Sequence, residues 1–519
     1  MPSAQPPLLG RNLLLAILSG LLLTLSFSPN AFSLAAWVAL VPLLIGIQQA
    51  SFPNAFRLGL ACGMAHCLTL IYWIVVVLKH YGNLNIVVAI SALLLLSLYL
   101  SLYPAVFALL ASRLPNSPAA PFVLACYWVA LEFLRTHLMT GFPWCLLGYS
   151  QYEQLPMVQT ADLFGVYGLS FLIVSVNGLL FRIIALPRDR RTGVLKWEVP
   201  IPLLLLAGSW AYGDCRIAHI QADARTAPSV KGAVVQANID QSLKWDPAYQ
   251  EETMATYARL TRSTRAFDPD LIVWPETAVP FFFQDHARLS PHIFSLAKES
   301  GAVLIFGSPA YERRQGRIRY FNRAYMIVPR SRDIFHYDKI HLVPFGEYVP
   351  FQEYLPFIRQ LVAAAGNFAS GDKLKPLETG DLSAGVLICF EAIFPELARG
   401  LSRGGADLFV NITNDAWFGR TSAPFQHLGM AVFRCIENRR PMIRAANTGF
   451  SAFIEPTGVI RSRSHLFVET VLTGSVPTGP FPGTVYTRFG DFFAVIALII
   501  ATVHVLYGLV IKRRRFTDH

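Results

Sequence analysis

Three short stretches of this sequence each deliver a reactive side chain just after a run of apolar residues or a tight turn. The run 384–389 predicts a buried strand that ends in Cys389, and the run 270–274 precedes Glu276. Lys339 follows a third such stretch. Because ligands bind beyond the carboxyl ends of strands in open α/β sheets, these residues can converge on one site. A thiol, a carboxylate and an ammonium group together predict covalent catalysis by cysteine.

A cysteine needs neighbouring groups to act as a nucleophile, because a thiol with an ordinary pKa of about 8.5 is mostly protonated at neutral pH. Glu276 can take the thiol proton, especially where burial raises its pKa. Lys339 can favour the thiolate and then stabilise an oxyanion, together with a backbone N–H near Phe390. A histidine base, His341 or His427, is an alternative that the spacing leaves open.

The composition indicates a membrane protein with a more polar middle section. Of the 519 residues, 53% are hydrophobic and only 15% are charged, against roughly 25% charged in a soluble domain. The net charge of +11 does not indicate nucleic-acid binding, because much of the Arg and Lys flanks apolar runs. The seven cysteines show neither a CxxC motif nor zinc-ligand spacing, so no metal site is predicted.

Apolar runs of about 20 residues, the length of a membrane helix, occur on both sides of the middle section. Basic residues follow the sixth run, at 188–191, and the last run, at 512–515. The positive-inside rule places both clusters and both termini in the cytoplasm, and the middle section outside it. The eight predicted spans lie near residues 11–29, 32–49, 56–78, 84–112, 119–138, 161–185, 198–213 and 487–511.

The middle section, from about 230 to about 477, alternates short apolar strands with amphipathic helices. Such alternation predicts a layered α/β domain in which helices pack on a sheet. The sequence contains no internal repeat, P-loop or dinucleotide fingerprint. We therefore predict a seven-span bundle at 1–228, an extracytoplasmic α/β domain at 229–480, and a final span with a basic tail at 481–519.

The three catalytic stretches, in this order, resemble the Glu-Lys-Cys signature of the nitrilase superfamily. More specifically, the whole chain resembles the apolipoprotein N-acyltransferase family, whose spans on both sides of the domain soluble nitrilases lack. One departure is Phe390, where some family members have Tyr. The resemblance implies an αββα sandwich attached to a membrane bundle. Further matching text lies at 242–245, 341–350, 414–419 and 447–449.

The resemblance also implies the reaction: transfer of a fatty acyl chain from a phospholipid to the N-terminal amine of a diacylated apolipoprotein, the last step of bacterial lipoprotein maturation. Cys389 is then the nucleophile that forms a thioester, Glu276 the base, and Lys339 the oxyanion ligand of a ping-pong cycle. Such a cycle needs no cofactor, metal or ATP. The implied protein is a multi-pass monomer of the bacterial inner membrane, with its catalytic domain on the periplasmic side.

Supporting roles follow from the same resemblance. Glu347 is expected to orient Lys339 or to balance its charge. Glu391 is expected to be a carboxylate that supports the catalytic residues without contacting the substrate. Two aromatic-rich segments, 281–283 and 345–368, fit either loops that enter the membrane interface or ordinary core packing. The remaining expected residues are Trp245 and Asn322, which shape the site, and Trp417 and Phe418, which form a candidate lid.

Two other functions stay open on the residues alone. In a membrane-tethered nitrilase-type amidase or a phospholipase, water resolves the thioester. In a membrane receptor or transporter, the α/β domain only binds a ligand. Glu132, Asp162 and Asn177, within the apolar runs, can then line a path, or they can simply join helices by hydrogen bonds.

Overall fold

The computed structural model describes residues 7–28, 32–115, 117–314, 316–329, 331, 333–349, 367–479 and 481–517. The chain divides into two compact units. The helical unit consists of Met1–Val75, Ile86–Cys215 and Phe489–His519, and the α/β unit consists of Val76–Asn85 and Arg216–Arg488. The predicted assignment of three domains, at 1–228, 229–480 and 481–519, stays a prediction.

The helical unit is built mainly from apolar helices. Its longer helices pack closely where small residues face a neighbouring helix, because a Cβ at Gly59 would lie 2.5 Å from the Pro104 carbonyl oxygen. The α-helices of this part of the chain are Pro7–Leu25, Val41–Ile47, Phe52–Leu70, Trp73–Val76, Ile86–Ala111, Ala120–His137, Leu155–Val158, Ala161–Ala185, Arg188–Trp197, Pro200–Thr226 and Phe492–Thr517.

Among the described residues, three helices are long and apolar enough to cross a membrane, namely Ile86–Ala111, Ala161–Ala185 and Phe492–Val510. A fourth crossing results if Phe52–Leu70 and Trp73–Tyr81, which are bent by 48°, form one span. The run predicted at 32–49 is broken into a 3-10 helix and a short α-helix. The count of eight spans stays a prediction.

The polar residues inside the apolar runs form hydrogen bonds within the helical unit. The Glu132 carboxylate accepts from the Leu147 N–H at 2.7 Å, and the Asp162 carboxylate accepts from the Tyr212 hydroxyl at 2.7 Å. The Asn177 side chain accepts from the Leu40 N–H at 2.8 Å. These contacts favour the interpretation that the residues join helices rather than line a path.

The described residues of the α/β unit form twelve strands in two six-stranded sheets. The first sheet has the order β12-β1-β2-β3-β4-β5 and the second the order β11-β10-β9-β8-β7-β6. The strands are β1 Ser229–Gln236, β2 Leu271–Val273, β3 Val303–Arg314, β4 Arg317–Ile327, β5 Ile334–Asp338, β6 Leu377–Thr379, β7 Leu382–Ile388, β8 Leu408–Thr413, β9 Met442–Ala446, β10 Ala452–Ile454, β11 Ile460–Arg463 and β12 Thr470–Pro477.

The two sheets pack face to face through branched side chains. Val234 and Ile305 of the first sheet share one buried cluster with Val386 and Val410 of the second. Helices cover the outer faces and complete the expected αββα layering. These helices are Gln250–Ser263 and Ser290–Ser300 on the first sheet, and Pro395–Arg403 and Ala423–Asn438 on the second. The predicted layered α/β domain is confirmed.

Local sequence signals explain where these helices begin and end. Gln250–Ser263 has Glu251 and Glu252 in its first turn, where carboxylates stabilise the helix dipole. Ser290–Ser300 stops at Gly301, whose φ of +71° closes the helix in the left-handed conformation that glycine tolerates.

The segment 281–283 belongs to the core rather than to a membrane-facing loop. Phe281 and Phe283 are buried in the cluster between the first sheet and its helices, and Phe282 alone of the three is exposed. The prediction of an interfacial loop is therefore wrong for Phe281 and Phe283, because their rings fill the space beneath helix Ser290–Ser300. For the segment 345–368, residues 350–366 lie outside the described residues.

Candidate active site

The end of strand β2 holds Glu276 in a tight turn. Thr277, the next residue, has a φ of +46°, in the left-handed region that costs a non-glycine residue about 1–2 kcal/mol. The turn lies directly against β3, since a Cβ at Gly307 would lie only 2.4 Å from the Thr277 nitrogen. A hydrogen bond from the Gly307 N–H to the Pro275 carbonyl, 3.2 Å, joins the two segments. Glu276 is thus fixed by close backbone packing and is 6% exposed.

Lys339 follows β5 and lies between two carboxylates. Its Nζ is 2.9 Å from the Glu347 carboxylate and 3.5 Å from Glu276 Oε1. Burial alone lowers the pKa of a lysine, but the charges of Glu347 and Glu276 outweigh it and raise the pKa of Lys339 above its ordinary value. Lys339 is therefore a permanent cation at the site.

Asn322, on β4, joins the same two carboxylates. Its Nδ2 donates to Glu276 Oε1 and to Glu347 Oε1, each at 2.8 Å. Glu347 Oε2 also accepts from the Val343 N–H at 2.8 Å, which fixes this carboxylate to the loop after Lys339. We call Glu276, Asn322, Lys339 and Glu347 the first-sheet cluster.

Cys389 lies at the end of β7, where the strand passes into the 3-10 helix Cys389–Ile393. Its φ of +52° turns the chain sharply and presents the side chain beyond the sheet. Burial raises the pKa of the thiol, as does Glu276, whereas Lys339 lowers it. The net direction is upward, so the resting side chain is a protonated thiol whose proton needs a base.

Glu391 joins the turn that carries Cys389 to the loop that follows Lys339. Its Oε1 accepts from the Tyr337 hydroxyl at 2.9 Å and from the N–H groups of Ile340, 2.7 Å, and His341, 3.1 Å. Its Oε2 accepts from the Ile388 N–H at 2.7 Å. Burial raises the pKa of Glu391 to about 7, against the effect of these donors. The carboxylate thus joins the residues next to Cys389 to those next to Lys339.

His427 supports the backbone of Cys389 rather than its thiol. The Nε2 atom lies 3.1 Å from the Cys389 carbonyl oxygen, and Nδ1 lies 3.0 Å from Asp415 Oδ1. Arg444 Nη2 donates to Asp415 Oδ2 at 2.8 Å, and all three side chains are buried. We call Asp415, His427 and Arg444 the second-sheet cluster.

The two alternative histidines, His341 and His427, contact other groups near the site. His427 faces the Cys389 carbonyl with one ring nitrogen and Asp415 with the other. The His341 ring stacks on Phe394, with ring centroids 3.6 Å apart. Glu276 Oε1 lies 3.5 Å from Lys339 Nζ, and the charge of Glu276 raises the pKa of both Lys339 and the Cys389 thiol.

The aromatic residues expected near the site lie in two places. Trp245 is 48% exposed and lines a mostly apolar cavity of about 590 Å³ together with Phe282 and Tyr320. Trp417 packs edge-on against Tyr81, with ring centroids 5.3 Å apart. Phe418 lies edge-on to His427, at 6.2 Å. The lid role of Trp417 and Phe418 stays a prediction.

Sequence reasoning missed Lys244 as a member of the site. This lysine follows the carboxyl end of β1, is 2% exposed, and donates to the Glu276 carbonyl oxygen at 3.2 Å and to Thr277 Oγ1 at 2.7 Å. Its position just after a strand end and just before Trp245 was the available signal. Its neighbour in space is 32 residues away in the chain, so spacing alone does not reveal the contact.

One group of possible metal ligands occurs among the described residues, formed by Glu312, His336 and Asp338. Arg323 lies among them, donating to Glu312 at 2.9 Å and to both carboxylate oxygens of Asp338. Arg323 already supplies the positive charge that a metal ion would bring to these two carboxylates. The chemistry of this donor set therefore does not fit a metal site.

Comparison with known proteins extends these observations. Residues 231–479 match the family described as carbon-nitrogen hydrolase, and residues 19–179 match the apolipoprotein N-acyltransferase N-terminal domain. An apolipoprotein N-acyltransferase of Geobacter metallireducens is 46% identical over 93% of this chain and 92% of that protein. One of Haemophilus ducreyi is 33% identical over 95% of each chain.

Among solved structures, the nitrilase-superfamily protein Nit3 of Saccharomyces cerevisiae is 18% identical, with a TM-score of 0.38, over 50% of this chain and 93% of that one. Because that score is low, the class rests on the two sheets and on the family match.

The α/β unit is of the carbon-nitrogen hydrolase class, with two six-stranded sheets whose strand ends carry Glu276, Lys339 and Cys389. The similarity to full-length relatives also includes the apolar N-terminal part. The chain belongs to the apolipoprotein N-acyltransferase family.

Proposed function

We propose that this protein transfers a fatty acyl chain from a phospholipid to the N-terminal amine of a diacylglyceryl-cysteine apolipoprotein. The observation that carries the proposal is the meeting of Glu276, Lys339 and Cys389 at the strand ends of two sheets, in a chain with membrane-length apolar helices. The names of the full-length relatives support the same reaction and favour it over the amidase, phospholipase, receptor and transporter alternatives.

The first half-reaction forms a thioester. The Cys389 sulfur attacks the ester carbonyl of the phospholipid while Glu276 takes the thiol proton. Lys339 and a backbone N–H near Phe390 stabilise the oxyanion. When the tetrahedral intermediate collapses, the lysophospholipid oxygen leaves and takes the proton from Glu276. The raised pKa of the thiol fits proton transfer coupled to attack, rather than a thiolate formed in advance.

The second half-reaction forms the amide. The α-amine of the apolipoprotein attacks the thioester carbonyl, and Glu276 accepts a proton from the attacking nitrogen. The oxyanion again lies beside Lys339, whose positive charge is maintained by Glu347 at 2.9 Å. Collapse releases the Cys389 sulfur, which recovers its proton from Glu276. The cycle returns the enzyme to its starting state without a cofactor.

A membrane location serves this reaction because both substrates are lipids. A catalytic domain tethered to the bilayer meets donor and acceptor at a high effective concentration. We infer a multi-pass monomer of the bacterial inner membrane with eight spans, both termini cytoplasmic and the α/β unit on the periplasmic side. The basic clusters at 188–191 and 512–515 support this orientation.

Trp417 and Phe418 are proposed as a lid for the same site. They occupy the 3-10 helix Asp415–Phe418, which begins at Asp415 of the second-sheet cluster. Gly419, with a φ of +59°, ends this helix and permits a sharp change in chain direction. Trp245, beside the apolar cavity, and Asn322, on the Glu276 carboxylate, are proposed to shape the substrate site.

Two incubations of the purified full-length protein test the proposal. With phosphatidylethanolamine alone, intact mass spectrometry should detect an acyl adduct on Cys389 that is absent from Cys389→Ala. Addition of a diacylated lipopeptide should remove the adduct and yield a triacylated peptide. Release of free fatty acid without acylated peptide would indicate a hydrolase instead. Full acyl transfer by Cys389→Ala would contradict the covalent mechanism.

A further inference from the structure

Lys244 is a second buried lysine beside the Glu276 turn. It is 2% exposed, and its Nζ donates to the Glu276 carbonyl oxygen at 3.2 Å and to Thr277 Oγ1 at 2.7 Å. Lysine is rarely buried unless it is paired. Both hydrogen-bond acceptors are uncharged oxygen atoms of the turn. The Lys244 amine therefore binds the turn itself rather than a carboxylate.

The turn that Lys244 contacts is the one that sets the position of the Glu276 carboxylate. On one side, close packing against Gly307 of β3 confines it. On the other side, the segment after β1 brings Lys244 to the Glu276 carbonyl. Thr277 has a left-handed φ of +46°, which persists only where neighbouring contacts stabilise it. Lys244 supplies two of those contacts.

The charge of Lys244 also matters for the cluster. The first-sheet cluster contains two carboxylates, Glu276 and Glu347, but only one cation within it, Lys339. Burial lowers the pKa of Lys244 to about 8, while the nearby Glu276 and Cys389 act in the opposite direction. At neutral pH the amine is therefore charged, and with a neutral thiol the two lysines balance the two carboxylates.

We propose that Lys244 is a positioning residue of the acyl-transfer site, which holds the Glu276 turn through hydrogen bonds to the Glu276 carbonyl and the Thr277 hydroxyl and whose positive charge offsets the negative charge of Glu276. This inference rests on the proposed function, because it gives Lys244 a part in the same reaction. Lys244 acts through Glu276 and does not touch the reacting atoms.

The first test is the rate of thioester formation on Cys389 from phosphatidylethanolamine, measured by intact mass spectrometry. Lys244→Met keeps an unbranched side chain of similar length but removes the charge and both hydrogen bonds. The expected rate is about 10- to 100-fold lower, with little change in the half-saturating phospholipid concentration. Lys231→Met is the matched control, because Lys231 is an exposed lysine on β1; its rate should stay within about twofold of wild type.

The outcomes separate this inference from the proposed function. If wild-type protein forms no thioester, the proposed function fails. If wild type forms it and Lys244→Met forms it equally fast, the positioning role of Lys244 is overturned and the proposed function stands. Thermal unfolding of each variant shows whether a lower rate reflects less folded protein.

A pH profile distinguishes positioning by a charged amine from a merely structural role. The groups facing Lys244 are Glu276 and Cys389, with Lys339 and Glu347 beyond Glu276. As pH rises through about 8, Lys244 loses its charge, and the wild-type acylation rate should fall. Lys244→Arg, whose guanidinium stays charged, should show no fall in this range. A fall near pH 8 in Lys244→Arg would overturn the proposal, even where Lys244→Met does not fold.

Discussion

The two sides of the active site use buried charges differently. In the first-sheet cluster, the Lys339 ammonium group lies between the Glu276 and Glu347 carboxylates, and the charges of Glu276 and Lys339 act on the thiol. In the second-sheet cluster, His427 holds the carbonyl of Cys389 and Arg444 neutralises Asp415. Substitution on the first-sheet side should therefore affect the reaction rate most, and substitution on the second-sheet side the stability of the fold.

The largest expected effect is on the first-sheet side, from Glu276→Gln. The glutamine has the same shape and can keep an oxygen facing Asn322 Nδ2, but it cannot accept the thiol proton. Loss of a general base lowers the acylation rate by about 100- to 10,000-fold. The melting temperature should stay close to that of wild type.

The rate is measured as thioester formation on Cys389, and the stability by thermal unfolding. Gln284→Glu, at an exposed residue of the same unit, is not expected to restore or reduce the rate. Wild-type rates in Glu276→Gln would refute its role as base and reopen the question of which group takes the proton.

The next largest effect is on the second-sheet side, from Arg444→Met. Removal of this arginine leaves the buried Asp415 charge without its partner at 2.8 Å. Breaking a buried ion pair in this way costs about 3–5 kcal/mol. Because burial raises the pKa of Asp415 and the charges of Arg444 and His427 lower it, Asp415 should become easier to protonate in the variant.

Denaturant unfolding of the full-length protein measures this loss. Arg461→Met is the control, because Arg461 pairs with Glu455 at an exposed position and such pairs contribute about 0–1 kcal/mol. Equal losses of stability for the two arginine variants would show that the buried pair of Arg444 with Asp415 stabilises the fold no more than an exposed pair does.

A smaller effect is expected at the residue that joins the two sides, from Glu391→Gln. Glutamine offers one acceptor oxygen and one NH₂ group, so the NH₂ faces either Ile388 N–H or the donors of the loop that follows Lys339. An unpaired buried donor costs about 1–3 kcal/mol. Both the stability of the fold and the acylation rate should decrease, because Glu391 joins the segment that carries Cys389 to the segment that carries Lys339.

Glu378→Gln on β6 is the control for that substitution, since its side chain is exposed. A rate loss in Glu391→Gln without any loss of stability would instead place Glu391 in the chemistry of the site, on the same footing as Glu276.

The smallest effect concerns the candidate lid. Trp417 and Tyr81 pack edge-on with ring centroids 5.3 Å apart. Aromatic pairs of this geometry contribute about 0.5–1.5 kcal/mol beyond their buried area. A double-mutant cycle of Trp417→Ala and Tyr81→Ala should give a coupling energy in that range. Additive effects would mean that the two rings do not stabilise one another.

The site was predictable where its residues follow local rules. Cys389 and Glu276 stand after apolar runs that form β7 and β2, and Lys339 follows β5. The strand pattern predicted the strands before Cys389 and Glu276, whereas Lys339 was assigned to the site by the resemblance in motif order, since β5 was not among the predicted strands. The membrane-length helices were predictable from composition, because a bilayer demands long apolar segments.

The parts that the sequence did not reveal depend on contacts between distant residues. Lys244 reaches the Glu276 turn, and His427 reaches the Cys389 carbonyl 38 residues away. The sequence left Phe281 and Phe283 open between a membrane-facing loop and core packing; in the structure they pack in the core between the first sheet and its helices.

What the sequence by itself determined is the set of reactive groups and the strands that deliver them, because side-chain type and hydrophobic periodicity are local properties. Only the tertiary structure decided their protonation and orientation. Lys339 gains a raised pKa because two carboxylates surround it, whereas Lys244 has a pKa lowered to about 8 because burial outweighs its nearby charges. Electrostatic environment depends on distance and burial, which exist only once the two sheets have packed together.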